Sequence, residues 1–421
     1  MRSIDTVIIG AGQAGLATSW YLTRLGHDHV VLDRGRVGER WLSERWDSLR
    51  TLTPNWMSRL PGHRYDGTDP DGYMGAVDLA HYLDDYARSF GAPVETHTTV
   101  ERVHRVANRF VVHTDRGTWR AKNVVIASGW CDVPALPRGI DGGRIDPDVV
   151  QVPANHYRNP AALPPGAVVV VGASASGSQI ADELARAGRD VVLAVGAHTR
   201  VPRRYRGRDI FGWLEDLGEL DRGLNGKDDR RIFEPSLQLV GSDDGRELHL
   251  GVLRDRGVTL VGRLASAERS TLRFASGLAD TVAAADDRLL RLLDRIDTVA
   301  PPTGLVEDRP GRLDIGDGVD RIDLRRRGVS AIVWATGYRR RYDWLDVPVL
   351  DDRGEIRHDR GVTAVPGLYV MGMRFQSRRR STFIDGVRFD AAHVATHLVG
   401  CREARISPPS TDDDDALAGA A

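Results

Sequence analysis

Gly10, Gly12 and Gly15, with Ala11, Gln13 and Ala14 between them, form the pattern Gly-x-Gly-x-x-Gly directly behind the β-branched run TVIIG at 6–10. The chemistry of that spacing is anion binding. The first glycine permits a tight turn, the second lets the backbone approach a pyrophosphate, and the third lets a helix pack closely on a strand. The phosphates then lie at the helix N-terminus, where free N–H groups and the helix dipole favour negative charge. Asp33, followed by Arg34, ends the next apolar run and is placed to accept hydrogen bonds from a ribose diol. A tight turn without a ligand is the blander reading. The strand, helix and acid around the glycines weigh against it.

Gly172, Ser174 and Gly177, with Ser176 inside the motif, repeat the pattern with serine at the middle position. Serine is small enough to keep the backbone approach open. No acid ends the strand that follows; instead Arg200, Arg203, Arg204 and Arg206 come soon after it. An acid there would repel a 2′-phosphate, whereas arginine pairs with one bidentately. NADP is therefore expected over NAD at this second site, with Arg200 as the best single candidate. A solvated basic loop is the alternative, since charge clusters are common on surfaces.

These residues require elements to hold them. Residues 6–10, 14–25 and 29–33 read as strand, helix and strand, which is a βαβ unit. Residues 168–172, 177–187 and 191–195 repeat that order. Between the two units, 77–90 has helical periodicity, 100–103, 109–114 and 117–122 look like a β-meander, and 124–129 is a buried strand. The proline-rich stretch 133–165 reads as a crossing linker. Further buried strands are expected at 329–336 and 368–372. The fold class is α/β, with two Rossmann-type dinucleotide-binding domains. Residues 1–150 form the first part of one domain with its β-meander, 151–328 an inserted nicotinamide-nucleotide domain, and 329–406 the second part of the first. The acidic tail 407–421, with Asp412 to Asp415 in a row, reads as disordered.

At 421 residues the chain exceeds what one hydrophobic core usually supports, which agrees with two domains. A net charge of −1 gives no field that would draw nucleic acid or a membrane surface. Two cysteines, Cys131 and Cys401, rule out a disulfide framework and a Cys-x-x-Cys redox pair. No apolar run approaches the roughly 20 residues that span a bilayer, and no secretory leader is apparent. A cytoplasmic location is the default, and a homodimer is left open. The histidines show no metal-ligand spacing, and no Gly-x-Ser-x-Gly elbow occurs.

The order of these motifs is specific. GAGQAG, the mid-chain glycine motif, Ala127-Ser128-Gly129 and Ala335-Thr336-Gly337 occur together, with Trp41, Trp46 and the Leu52-Thr53-Pro54 turn between the first two. The chain to about Gly400 resembles the class B flavin monooxygenases, most closely bacterial flavoproteins of the CzcO type and more distantly the plant YUCCA and flavin-containing monooxygenases. The resemblance implies FAD at Gly10, Gly12, Gln13, Ala14, Gly15, Asp33, Arg34, Ser128 and Gly129, with Trp41, Trp46 and Thr53 beside the flavin. It implies NADPH at Gly172, Ser174, Ser176, Gly177 and Arg200, and a cofactor contact at Thr336 and Gly337. It further implies hydride transfer to the flavin, a C4a-(hydro)peroxyflavin, and oxygenation of a small-molecule substrate by O2. Asp385 is assigned either a flavin contact or a helix N-cap, and both tryptophans could equally be ordinary core. Water exclusion needs a cover, and 205–297, with Trp213, is the candidate stretch.

Two departures stand out. The family fingerprint Phe-x-Gly-x-x-x-His-x-x-x-Tyr, anchored on Tyr157, finds Pro147, Val149 and Pro153 at its first three positions, while His156 is displaced. Leu52 stands where the flavin loop often carries asparagine. Both support a rival reading, an NADPH:acceptor oxidoreductase that does not oxygenate. A non-enzymatic redox sensor is the second rival.

Overall fold

A computed structural model describes residues 1–137, 139–224, 226, 233–300 and 309–400. The expected disordered tail at 407–421 and Cys401 lie outside the described residues.

The first lobe starts with β1 (Arg2–Ile9), α1 (Gln13–Arg24) and β2 (His29–Leu32). After α2 (Ala76–Ser89) come β3 (Val94–Glu95), β4 (Val100–Val106), β5 (Arg109–Thr114) and β6 (Gly117–Ile126). The inner strands are buried on both faces, which is why they read as unbroken apolar runs. β3, β2, β1 and β6 lie side by side in parallel. Ile9 pairs with both Leu32 and Ile126, so the carboxyl ends of three strands come level. β4, β5 and the first half of β6 form the antiparallel meander. Its alternate residues Phe110, Val112 and Thr114 turn inward, as a period of two requires.

The second lobe is built from β7 (Val150–Pro153), β8 (Ala167–Val171), α3 (Ala175–Arg186) and β9 (Val191–Ala194). It continues with α4 (Ile210–Asp216), β10 (Thr259–Val261), α5 (Leu278–Val299) and β11 (Val329–Trp334). Its parallel sheet runs in the order β7-β11-β8-β9-β10. The chain then returns, and β12 (Leu368–Val370) pairs with β6 in the first sheet. α6 (Val387–Val399) closes the first lobe, its Val387, Ala391 and Val394 sharing a core with Leu16 and Tyr21 of α1.

Two expected boundaries move. The strand at Val329–Trp334 was placed in the first domain, but it pairs with β8 at the centre of the second sheet. An apolar run shows that a strand is buried, not which of two sheets receives it. Likewise, Ile140, Ile145 and Val149, expected in the first domain, pack in the second lobe's core with Val169 and Ile332. Val133–Pro134 on the outgoing chain pairs antiparallel with Tyr338–Arg339 on the returning one.

Candidate active site

The glycines of the first motif are held by contacts that exclude a side chain. Gly10 has φ +112°, and a Cβ there would lie 2.4 Å from the carbonyl oxygen of Ala127. A Cβ on Gly15 would lie 1.9 Å from the carbonyl oxygen of Gly10. A Cβ on Gly12 would meet nothing within 4 Å, because it faces the cavity. Asp33 clamps this loop: Ala11 N donates to its Oδ2 at 2.7 Å and Gly35 N to its Oδ1 at 2.8 Å. Gln13 donates through Nε2 to the Thr382 carbonyl at 2.9 Å, tying the start of α1 to the returning chain. Arg34 is exposed and pairs with Glu44 at 3.2 Å.

A cavity of about 580 Å³ extends from this loop. Gly10, Gly12, Gln13, Ala14, Asp33, Arg34, Trp41, Thr53, Ser128 and Gly129 all line it. Phe211, Leu214, Leu220 and Phe383 give it an apolar wall, and Arg374 and Arg379 also line it. Phe211, Leu214 and Leu220 belong to the stretch expected to cover the site. Trp213 does not: it is buried, and its Nε1 donates to the Tyr205 carbonyl at 2.8 Å. Cys131 also lines the cavity, and burial raises its thiol above the usual range. Among the described residues no histidine lines it, and no group of carboxylate, histidine and cysteine side chains is arranged to hold a metal.

The second glycine loop repeats the first. Gly172 has φ +108°, its would-be Cβ lies 2.4 Å from the Ala335 carbonyl oxygen, and that of Gly177 lies 1.7 Å from the Gly172 carbonyl oxygen. Ser174 has φ −79° and ψ −171°, close to the −87° and −177° of Gly12. The backbone at that position never needed glycine's freedom, so serine enters without strain. Ser174 and Ser176 stay half-buried at the start of α3. Thr336 donates through its hydroxyl to the Ala135 carbonyl and Gly337 is exposed, so that tripeptide wedges the loop as Ala127-Ser128-Gly129 wedges the first. Gln238 of the following chain donates to the Ala173 carbonyl at 2.7 Å, covering the loop from one side.

Three expected site residues are placed elsewhere. Arg200 is buried, its Nη1 held by Asp286 Oδ1 at 2.6 Å and the Gly311 carbonyl at 2.8 Å, so its guanidinium is not free for a phosphate. Burial, and then the charge of Arg200, push nearby His249 down to about 4. Trp46 is core, packed with Leu49 and Tyr157 and absent from the cavity wall. Asp385 neither lines the cavity nor caps a helix. It joins Arg59 at 2.9 Å, Arg380 at 2.5 Å and Arg388 at 3.4 Å in a buried ionic cluster, while Gly386 occupies the cap position of α6.

The linker after β7 was undervalued by sequence reading. Tyr157 is buried and donates to Glu183 at 2.7 Å. Arg158 donates to the carbonyls of Ser43 and Arg45, and its own carbonyl accepts from Asp47 N at 2.9 Å. His156, displaced in sequence, is exposed.

Comparison with known proteins agrees with this geometry. The family model described as pyridine nucleotide-disulphide oxidoreductase matches residues 7–208. A CzcO-like oxidoreductase of Geobacillus kaustophilus is 32% identical over 399 residues, covering 94% of this chain and 98% of that one. A probable indole-3-pyruvate monooxygenase, YUCCA1 of Arabidopsis thaliana, is 29% identical over 419 residues, covering 93% and 89%. A flavin-containing monooxygenase from Stenotrophomonas maltophilia superposes with a TM-score of 0.67 at 20% identity, covering 95% of this chain and 99% of the other. Two glycine loops on two parallel sheets make the molecule a two-dinucleotide-binding oxidoreductase of Rossmann type. The chain belongs to the CzcO-like oxidoreductases, within the class B flavin monooxygenase-like proteins.

Proposed function

We propose that this protein is an FAD-dependent, NADPH-consuming monooxygenase that inserts one oxygen atom from O2 into a small organic substrate, acting in the cytoplasm. The observation that carries the reading is the duplicated glycine loop, one copy opening a cavity with an apolar wall. The first loop fits FAD. Gly12 leaves the space a pyrophosphate needs, the first turn of α1 carries no acid, and Asp33 stands at the ribose position. Gly10, Gly12, Gln13, Ala14, Gly15, Asp33, Arg34, Thr53, Ser128 and Gly129 would hold it. Gly172, Ser174, Ser176, Gly177, Thr336 and Gly337 would hold NADPH, with Val195 in place of an acid. We assign the chain up to the crossing at Val133–Pro134, and again from the return at Tyr338–Arg339, to the FAD domain.

Bound flavin and nicotinamide supply hydride transfer and oxygen activation. The chain's own work is to align them and keep water out, which Phe211, Leu214, Leu220 and Phe383 suit. The relatives' names, indole-3-pyruvate monooxygenase and flavin-containing monooxygenase, support oxygenation. The reductase alternative keeps one specific support: among the described residues no histidine lines the cavity, and Pro153 and Leu52 depart from the family pattern. Purified flavoprotein would be reduced anaerobically with NADPH, mixed with oxygen and a panel of small amines, sulfides and ketones, and assayed for oxygenated product per NADPH consumed. Product above the peroxide background supports the monooxygenase. Rapid reduction with peroxide as the sole product for every compound favours the reductase.

A further inference from the structure

The two βαβ units repeat each other bond for bond. Gly10 N donates to the Leu32 carbonyl in one and Gly172 N to the Ala194 carbonyl in the other. Asp33 N donates to the Glu95 carbonyl, and Val195 N to that of Val261. The strand registers agree, Leu32 opposite Glu95 and Ala194 opposite Val261. Asp33 therefore corresponds to Val195, Arg34 to Gly196, and the chain just beyond β3 to the chain just beyond β10.

In the first lobe the chain beyond β3 supplies Thr98 and Thr99 to the cavity wall beside Asp33 and Arg34. In the second lobe the same register sets Arg263 at the place of His97, the residue just before those threonines. Gly196 has no side chain, and Cγ and Cδ of Arg263 lie 3.9 and 4.0 Å from where its Cβ would be. Arg263 thus lays its stem over the place that Arg34 fills in the other unit. It is exposed, and among the described residues its guanidinium has no ion pair or hydrogen bond.

The neighbouring arginines are committed. Asp286 and the Gly311 carbonyl hold Arg200, Asp209 and the Leu52 carbonyl hold Arg203, and Asp297 holds Arg206. Arg204 donates to the Gly207 carbonyl and Arg288 to that of His198. We infer that Arg263 is the residue that reads the 2′-phosphate of the nicotinamide dinucleotide. The inference rests on the reading of the second lobe as the NADPH lobe. An acid at position 195 would repel that phosphate; valine removes the repulsion, glycine leaves room, and a guanidinium from the adjacent strand end can pair with it bidentately.

Two adenosine fragments that differ only in the 2′-phosphate, 2′,5′-ADP and 5′-AMP, would be titrated calorimetrically into the flavin-loaded protein. Wild type, Arg263→Ala, Arg263→Lys and Arg204→Ala would be compared, with flavin content and melting curves as checks on folding. Arg263→Ala is expected to lose roughly ten- to a hundredfold of the preference for 2′,5′-ADP. Arg263→Lys should keep part of it and Arg204→Ala all of it, and the KM ratio of NADPH to NADH should move in step. A folded Arg263→Ala with undiminished preference overturns the assignment and leaves the NADPH reading standing. A wild type that binds both fragments equally removes the NADPH reading itself, and the role of Arg263 with it.

Discussion

A glycine can be required for two different physical reasons, and the first loop contains both. At Gly10 the backbone sits at φ +112° with the Ala127 carbonyl 2.4 Å from the would-be Cβ, so Gly10→Ala strains the fold itself. It should cost about 1–3 kcal/mol or more in the flavin-free protein, seen as a lowered Tm. Gly12 has an ordinary φ and open space, so Gly12→Ala should leave that Tm unchanged and put a methyl where the pyrophosphate must approach. Its loss is in flavin retention, measured as bound FAD per chain after gel filtration. Equal effects of the two variants on the flavin-free Tm would contradict this division. Such residues are legible in sequence because their spacing is local. Arg200 was misread for the opposite reason: its partner Asp286 lies on α5, far along the chain, and nothing in the arginine cluster announces it. Arg263 escaped notice because only the pairing of β9 with β10 brings it to Gly196.

At the scale of elements, α4 and the chain after it line the cavity with Phe211, Leu214 and Leu220, which also pack on Leu289, Leu293 and Ile296 of α5. Leu214→Ala should cost about 2–5 kcal/mol through lost burial and the cavity left behind. It should also raise the fraction of NADPH oxidation that ends in peroxide, because the wall would admit water. Destabilisation with unchanged coupling would make α4 a packing element only. A pH effect belongs to the same lobe. His249 is held near 4 by burial first and by Arg200 next, against 6.5 when unfolded, so it is neutral in the folded state. Protonation then favours the unfolded chain: stability is full above about 6.5 and falls as pH drops toward 4. The ring also accepts from Val252 N at the start of a short helix, a cap that asparagine can replace. His249→Asn should therefore flatten that acid limb by about 1–3 kcal/mol, read from denaturant unfolding at several pH values. An acid limb of unchanged slope would mean that other buried histidines dominate it. Element identity was largely legible in advance, because runs such as VVVVG and TVIIG are long, apolar and bounded by glycine. Sheet membership was not, since the periodicity of residues 329–334 is the same in either sheet.

Across the whole molecule the issue is how two lobes, joined by Trp46 and Leu49 packing on Tyr157, could hold two bound cofactors in line. Several fastenings cross the boundary, and three illustrate how it is held. The outgoing and returning chains pair at Val133–Pro134 and Tyr338–Arg339. Arg59 and Arg380 of the first lobe meet Glu215 of α4 in the ionic cluster around Asp385. Arg158, leaving β7, grips the carbonyls of Ser43 and Arg45 next to Trp41 in the cavity wall. The last bears directly on the chain next to Trp41 from the second lobe, as Arg203 does on the Leu52 carbonyl. It also gives the linker a structural role although the histidine of the fingerprint is displaced: Tyr157 anchors to Glu183 on α3 and Arg158 reaches across. Arg158→Ala should then leave both cores and FAD content intact while letting the loop drift. A displacement near 1 Å at reacting groups can cost on the order of a hundredfold in rate. The expectation is a ten- to hundredfold slower anaerobic reduction of flavin by saturating NADPH, followed by stopped-flow. Reduction at the wild-type rate would show that the other fastenings suffice, and that Arg158 serves the loop's folding and not the alignment of the cofactors.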